Sequence, residues 1–214
     1  PGKVTYTSSE FYLGAAFIRA IIYNICGWEQ FQNMEANYDT VHEAVEPAME
    51  YLRSLNPYLW KEGTTFPADA NTLTEMYKNG ECLIDIIYDQ YGCGTNIVDG
   101  NYPATSKSYL FEKGTPANES YWAVPFNSPN KAGALVVINE MLDPEQQLKK
   151  CEKSAGYVTD LSKVDADMKK KFESVDHGPN NCTDAELKEK ALPEYSADIE
   201  KIVTEIWLKE VVGK

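Results

Sequence analysis

The chain is poor in the residues that most enzyme chemistry needs. It carries two histidines in 214 residues, His42 and His177, far apart and in polar surroundings, so both read as solvated surface residues rather than general bases. A Walker A loop, an H-E-x-x-H pair and a G-x-S-x-G elbow are all missing, which removes the common signatures of nucleotide, zinc-protease and serine-hydrolase chemistry. Gly92-Cys93-Gly94 lacks the third glycine and following helix of a dinucleotide fingerprint and reads as a turn. Asp165-Ala166-Asp167 imitates the start of a calcium loop, but Lys170 stands where that loop requires glycine. Positive charge is scarce as well: 20 basic against 33 acidic side chains leave a net charge of −13, which opposes binding to nucleic acid and to anionic membrane surfaces. No apolar run approaches the roughly 18 residues of a spanning helix, so no direct membrane insertion is expected. Five cysteines, Cys26, Cys82, Cys93, Cys151 and Cys182, include no C-x-x-C pair and no histidine at ligand spacing, so no zinc site, and no metal or cofactor, is expected. Disulfides Cys82–Cys93 and Cys151–Cys182 remain open beside buried, reduced thiols.

What the chain does contain is dense punctuation between Gly114 and Gln147. Tyr121 to Phe126 is aromatic and β-branched, as a strand would be, and Pro125 places its end or a sheet edge there. Ser128 and Pro129 cap a helix whose residues Ala132, Leu135, Val136, Val137, Ile138, Met141 and Leu142 are apolar on too many sides for a surface helix. Burial between layers is the expectation. Asp143-Pro144-Glu145-Gln146 opens another helix.

Elsewhere, Val4 to Thr7 reads as a short strand and Thr7-Ser8-Ser9-Glu10 as a capping box for the helix that follows, with a start that can slide to Leu13. Gly14 then lies in the first helical turn, where the missing Cβ admits a close neighbour. Val41 to Leu55 is helical despite Pro47. Asn71 to Asn79 is a helix ended by Asn79-Gly80, and Leu83 to Tyr88 a buried strand interrupted by Asp85. Ser108 to Glu112 is a further strand candidate. Thr183-Asp184-Ala185-Glu186 is a capping box, and Ile199, Ile202, Val203, Ile206 and Trp207 form an amphipathic stripe. With 214 residues nothing forces two domains.

Ligand sites in open α/β sheets form beyond strand ends and near helix N-termini. Three such places stand out. Tyr6, Ser8 and Ser9 end a strand before a helix. Tyr88, Asp89 and Tyr91 follow a buried strand. Asn118 and Tyr121 lead into the next. Each combines aromatic faces with hydrogen-bonding groups, as a small polar ligand requires, and the three are expected to share one concave face. Tyr12 is as readily a staple for the first helix as a contact.

Four tracts carry a resemblance in order: Pro1 to Phe17, Gly63 to Tyr91, Gly114 to Gln147 and Leu192 to Val211. Together they are similar to the second lobe of bacterial extracellular solute-binding proteins of ABC importers, in the type-2 periplasmic-binding-protein fold, and closest to the YnjB-like subgroup. The resemblance implies an α/β lobe: a mixed sheet of four or five strands with helices on both faces over residues 1–160, then a helical C-terminal segment over 161–214. It implies a small-molecule solute as ligand, an ABC permease as partner of the full-length protein, and an extracytoplasmic location, periplasmic or as a cell-surface lipoprotein. Family members have two lobes that close about a hinge, here near Pro1 to Thr7, and the start at Pro1-Gly2 fits a chain trimmed of its first lobe. No enzymatic activity is implied. Two rival readings are an extracellular hydrolase fragment using Asp85 and Asp89, and a protein-interaction domain with a convex aromatic patch.

Overall fold

The computed structural model describes residues 1–118, 121–153 and 156–213. Its described residues divide into two compact units. The first comprises Pro1–Tyr88, Tyr109–Asn118 and Cys182–Lys214, the second Asp89–Ser108 and Glu119–Asn181.

The first unit is built on three helices: α1 (Tyr12–Cys26), α2 (Tyr38–Leu55) and α9 (Ala197–Trp207). Asn37 and Ser196 cap α2 and α9 by accepting the N–H groups of Thr40 and Ile199, each satisfying a donor that the first turn leaves free. Pro47 lies inside α2 without dividing it. The helices meet through Ile18 and Ile22 of α1, Val41, Val45, Met49 and Leu52 of α2, and Ile199, Val203, Ile206 and Trp207 of α9. On each helix these recur at intervals of three and four, so one stripe faces inward. Tyr6, 1 % exposed, completes this core. Its ring lies 4.9 Å from that of Phe17 and 4.8 Å from that of Phe66, and its hydroxyl accepts the Trp207 indole N–H at 3.2 Å. A short helix, α3 (Ala70–Lys78), capped by Asp69, adds Leu73 and Met76 to the buried set.

The same unit contains the one strand pair among the described residues: β1 (Thr115–Pro116) parallel to β2 (Ala191–Leu192), with Pro116 opposite Leu192. Between them in sequence falls α8 (Asp184–Glu189), and the capping box expected from Thr183 and Glu186 is formed. Gly114, at φ 114°, lets β1 approach β2 so closely that a Cβ there would meet Leu192 at 2.7 Å.

In the second unit, α4 (Gly92–Val98), α6 (Pro144–Cys151) and α7 (Ala166–Glu173) each bury part of a face, at Cys93, Cys151 and Phe172, whereas α5 (Lys131–Leu142) buries no residue. Asp143 caps α6, with Pro144 at its first position, as expected.

Several expectations are corrected. The segments 83–88, 108–112 and 121–124 hold no strand and have no ladder partners among the described residues. Their β-branched and aromatic content favours extension, but a ladder also needs a neighbouring edge. The α1 helix begins at Tyr12 behind an uncapped Phe11, because Ser8 and Glu10 bond each other in a tight turn instead. Gly92-Cys93-Gly94 opens α4 rather than forming a turn only, and α5 starts at Lys131 behind Asn130, not at Pro129 behind Ser128. On α5, Leu135 is 60 % and Val136 69 % exposed. An apolar girdle states that a helix wants cover, and does not state what supplies it. All five cysteines are free thiols.

Two outcomes test this arrangement. Leu52→Ala should lower the unfolding free energy by about 3 kcal/mol, whereas Leu135→Ala should change it by less than about 0.5 kcal/mol, both read from urea titrations. Burial also pushes the Tyr6 phenol up to about 12. Because the folded chain holds this proton more tightly than the unfolded one, the Tyr6 contribution is complete below pH 10 and is lost as pH rises to about 12. Tyr6→Phe should therefore flatten the fall in urea midpoint across that window.

Candidate functional site

The parallel pair of β1 and β2 fixes the site. Two residues beyond Pro116 stands Asn118, and two beyond its partner Leu192 stands Glu194, so both leave the C-terminal ends of adjacent parallel strands, where ligands gather in α/β proteins. The first turn of α1 supplies Tyr12. Its hydroxyl accepts from Asn118 Nδ2 at 2.6 Å and donates to Glu194 Oε1 at 3.2 Å. Tyr88 lies edge-on to Tyr12, with ring centroids 5.4 Å apart and planes at 74°. Four segments distant in sequence thus converge on one phenol. Partial burial, then the neighbouring Tyr88 and Glu194, hold the Tyr12 hydroxyl well above the ordinary tyrosine range, so it is a neutral hydrogen-bonding group at physiological pH.

The support beneath this cluster is Arg19, buried on α1. It pairs with Glu194 through Nη1 and with Glu200 through Nη2, and its Nε donates to Glu200 Oε2 at 3.1 Å. Its guanidinium carbon also lies 4.7 Å from the centre of the Tyr195 ring. Glu194 Oε1 accepts from both Arg19 and Tyr12, while the Tyr12 and Tyr88 rings remain about half exposed. Gly14 allows the turn before α1 to fold against the helix, since a Cβ there would meet Ser8 O at 2.0 Å. A carboxylate, an amide and two aromatic faces can hold a small polar solute that donates hydrogen bonds or carries positive charge.

Of the residues expected at the site, Tyr88 and Asn118 meet there, joined by Tyr12. Tyr6 belongs to the core, packed against Trp207. Ser8 bonds Glu10, and Ser9 is buried. In the second unit, Asp89 accepts the Tyr91 N–H at 3.1 Å, Tyr91 is buried against His177, and Tyr121 is 81 % exposed. Residues 119 and 120, within the third expected segment, lie outside the described residues. Sequence reasoning missed Arg19 and Glu194. An arginine inside an otherwise apolar helical run was the available signal, because such a charge needs a buried partner.

Three further sets of titratable groups lie outside this cluster. Asp85 accepts the Thr74 hydroxyl and the Ile86 N–H, both at 2.8 Å, the local partnering of a structural carboxylate. Both histidines are engaged rather than solvated. The His177 ring stacks 3.5 Å from Tyr91, with Nε2 3.6 Å from Cys151 Sγ. His42 joins Glu46 and Glu210, and the donor atoms of these three lie within 4.8 Å of one another.

With this geometry in place, the chain can be compared with known proteins. It is 29 % identical to Protein YnjB of Escherichia coli (strain K12) over 152 residues, which is 71 % of this chain and 39 % of that protein. The chain thus spans well under half the length of this curated relative. No protein-family profile matches it, and no solved structure does.

Removing the central cation should be costly. Arg19→Met leaves two partly buried carboxylates facing each other and should destabilise the chain by about 3 kcal/mol, whereas Tyr12→Phe, at a half-exposed site, should cost no more than about 1 kcal/mol. Denaturant midpoints at neutral pH check both.

Proposed function

We propose that the chain is the second lobe of an extracytoplasmic solute-binding protein, an α/β lobe of the type-2 periplasmic-binding class, that captures a small polar solute for an ABC permease. One observation carries the reading: the Tyr12 hydroxyl is hydrogen-bonded to both Asn118 and Glu194, which follow the C-terminal ends of a parallel strand pair, beside the half-exposed Tyr88. The similarity to YnjB over most of the chain supports it, as does the collinear resemblance of four tracts to the second lobe of such receptors. Among the described residues no helix is long and apolar enough to cross a membrane.

In this reading the lobe binds and does not catalyse. Glu194 accepts a donor or positive group of the solute, Asn118 offers a further polar contact, and the Tyr12 and Tyr88 rings form apolar walls. The opposite wall belongs to a first lobe, and closure of the two about the solute shifts the receptor to its closed form. The mixed sheet that the resemblance implies belongs to this proposal for the full-length protein.

A single wall binds weakly. If half of a binding free energy of about −8 kcal/mol is lost with the other lobe, affinity falls from micromolar to millimolar. Calorimetric titration with a library of amino acids, sugars, oxyanions and organic cations should give millimolar binding of one class. Tyr12→Phe and Asn118→Ala should each weaken it about tenfold. Tight binding by the chain alone, equal to that of a longer receptor, would mean that the pocket is complete within these residues and would end the half-receptor reading. Binding unaffected by both substitutions would move the site elsewhere.

A further inference from the structure

We infer that His42, Glu46 and Glu210 form a binding site for a first-row divalent transition metal, with zinc the best fit, away from the Tyr12 cluster and independent of the solute reading. The site lies where α2 meets the widened last turn of the chain, Leu208–Val212. His42 and Glu46 are four residues apart on α2 and so share a face. Glu210 comes from the last turn, which is fixed by Asn56 donating to Val211 O at 2.8 Å.

The orientation of the two carboxylates makes the case. Arg53 donates from Nη2 to Glu46 Oε1 at 2.6 Å and from Nη1 to Glu210 Oε2 at 3.0 Å, so it occupies one oxygen of each. The other oxygens turn toward one ring nitrogen: Glu210 Oε1 lies 2.6 Å and Glu46 Oε2 3.9 Å from His42 Nε2. Glu46 Oε2 is shielded from solvent and has no hydrogen-bond partner. Arg53 thereby plays the outer-sphere part that ligating carboxylates commonly need. Tyr38, stacked nearly parallel to the imidazole at 5.9 Å, fixes the ring plane.

His42 Nε2 can serve one of the two inward oxygens with a hydrogen bond, and Glu210 Oε1 at 2.6 Å is the one within reach. In the structure as it stands a proton on Nε2 serves Glu210 and leaves Glu46 Oε2 unserved. Donors bound at about 2.0–2.1 Å to one tetrahedral ion sit about 3.3 Å apart, so modest side-chain shifts that open the Glu210 contact and close the Glu46 one would let a divalent ion serve all three and keep a fourth position for water. Binding releases the Nε2 proton to solvent while Nδ1 keeps its own proton or takes one up from water, so no other reactant is needed. One imidazole nitrogen with two carboxylate oxygens suits zinc, cobalt or nickel better than magnesium or calcium, which prefer all-oxygen shells. The His42 and Glu46 side chains are more than a third exposed, which leaves a route for the ion. Because two ligands lie on α2 and the third near the C-terminus, the ion would clamp the end of the chain to the core.

The test is calorimetric titration with zinc chloride of the wild-type chain and of His42→Ala, Glu46→Gln and Glu210→Gln, with far-UV circular dichroism verifying that each variant folds. The wild type should bind one equivalent in the micromolar range, His42→Ala should lose at least about 50-fold and each glutamine variant at least about tenfold. Zinc should raise the melting temperature of the wild type and not of His42→Ala. The cobalt-loaded wild type should show d–d absorption without a sulfur-to-metal charge-transfer band, since no thiol is among the ligands. Failure of the wild type to bind, equal binding by wild type and His42→Ala, or a thiolate band in the cobalt spectrum would each overturn the assignment, the last two locating the metal on the free cysteines.

Discussion

The guanidinium of Arg19 is the contact on which the first unit turns. It projects from the middle of α1, is buried, and reaches Glu194 just after β2 and Glu200 in the first turn of α9. A charge removed from water needs compensation, and here the compensation comes from the two segments that must be correctly placed for β2 and α9 to form. Arg19 therefore ties the C-terminal part of the chain to its start, and in doing so sets the position of Glu194. Tyr12, about two helical turns before Arg19 on α1, then finds Glu194 within reach of its hydroxyl. The candidate site is a consequence of how a buried cation is neutralised.

The two places where the structure offers binding chemistry lie in the same unit and differ in kind. At the Tyr12 cluster the carboxylate is paired with Arg19, and the aromatic faces are half exposed, as recognition of an organic solute demands. At His42 two carboxylates are held by Arg53 with one oxygen each directed inward, so charge density rather than apolar area is concentrated there. Although burial opposes it, the neighbouring His42 and Arg53 bring the Glu210 carboxyl below the usual range. An excess of acidic side chains across the sequence gave no hint of where charge would be organised in this way.

What was legible in the sequence was local. The stripe Ile199, Ile202, Val203, Ile206 and Trp207 reads directly as the buried face of α9, with Ile202 at its margin, the Thr183 capping box fixes the start of α8, and Asp143-Pro144 that of α6, because these signals depend on neighbours no more than four residues away. Long-range questions were not legible. Tyr6 has the composition of a site residue and the environment of a core residue, and only the arrival of Phe66 and Trp207 decides between them. The apolar run of α5 predicted burial, but burial requires an opposing surface that periodicity does not contain. Likewise 83–88 has strand-forming residues and no partner strand among the described residues. Of the site, Tyr88 and Asn118 were found because they sit at the ends of apolar segments. Glu194 was missed, since its role comes from β2 pairing with β1 across a long sequence separation.

The central claim is that a small solute sits against Tyr12, Tyr88, Asn118 and Glu194. The most direct measurement is nuclear magnetic resonance of the 15N-labelled chain, with amide shifts followed as the strongest-binding solute of the library is added to saturation. The account predicts that the largest shifts fall on the first turn of α1, on Tyr88 and on the residues just after β1 and β2. Shifts confined to α5, or spread evenly over both units, would contradict it.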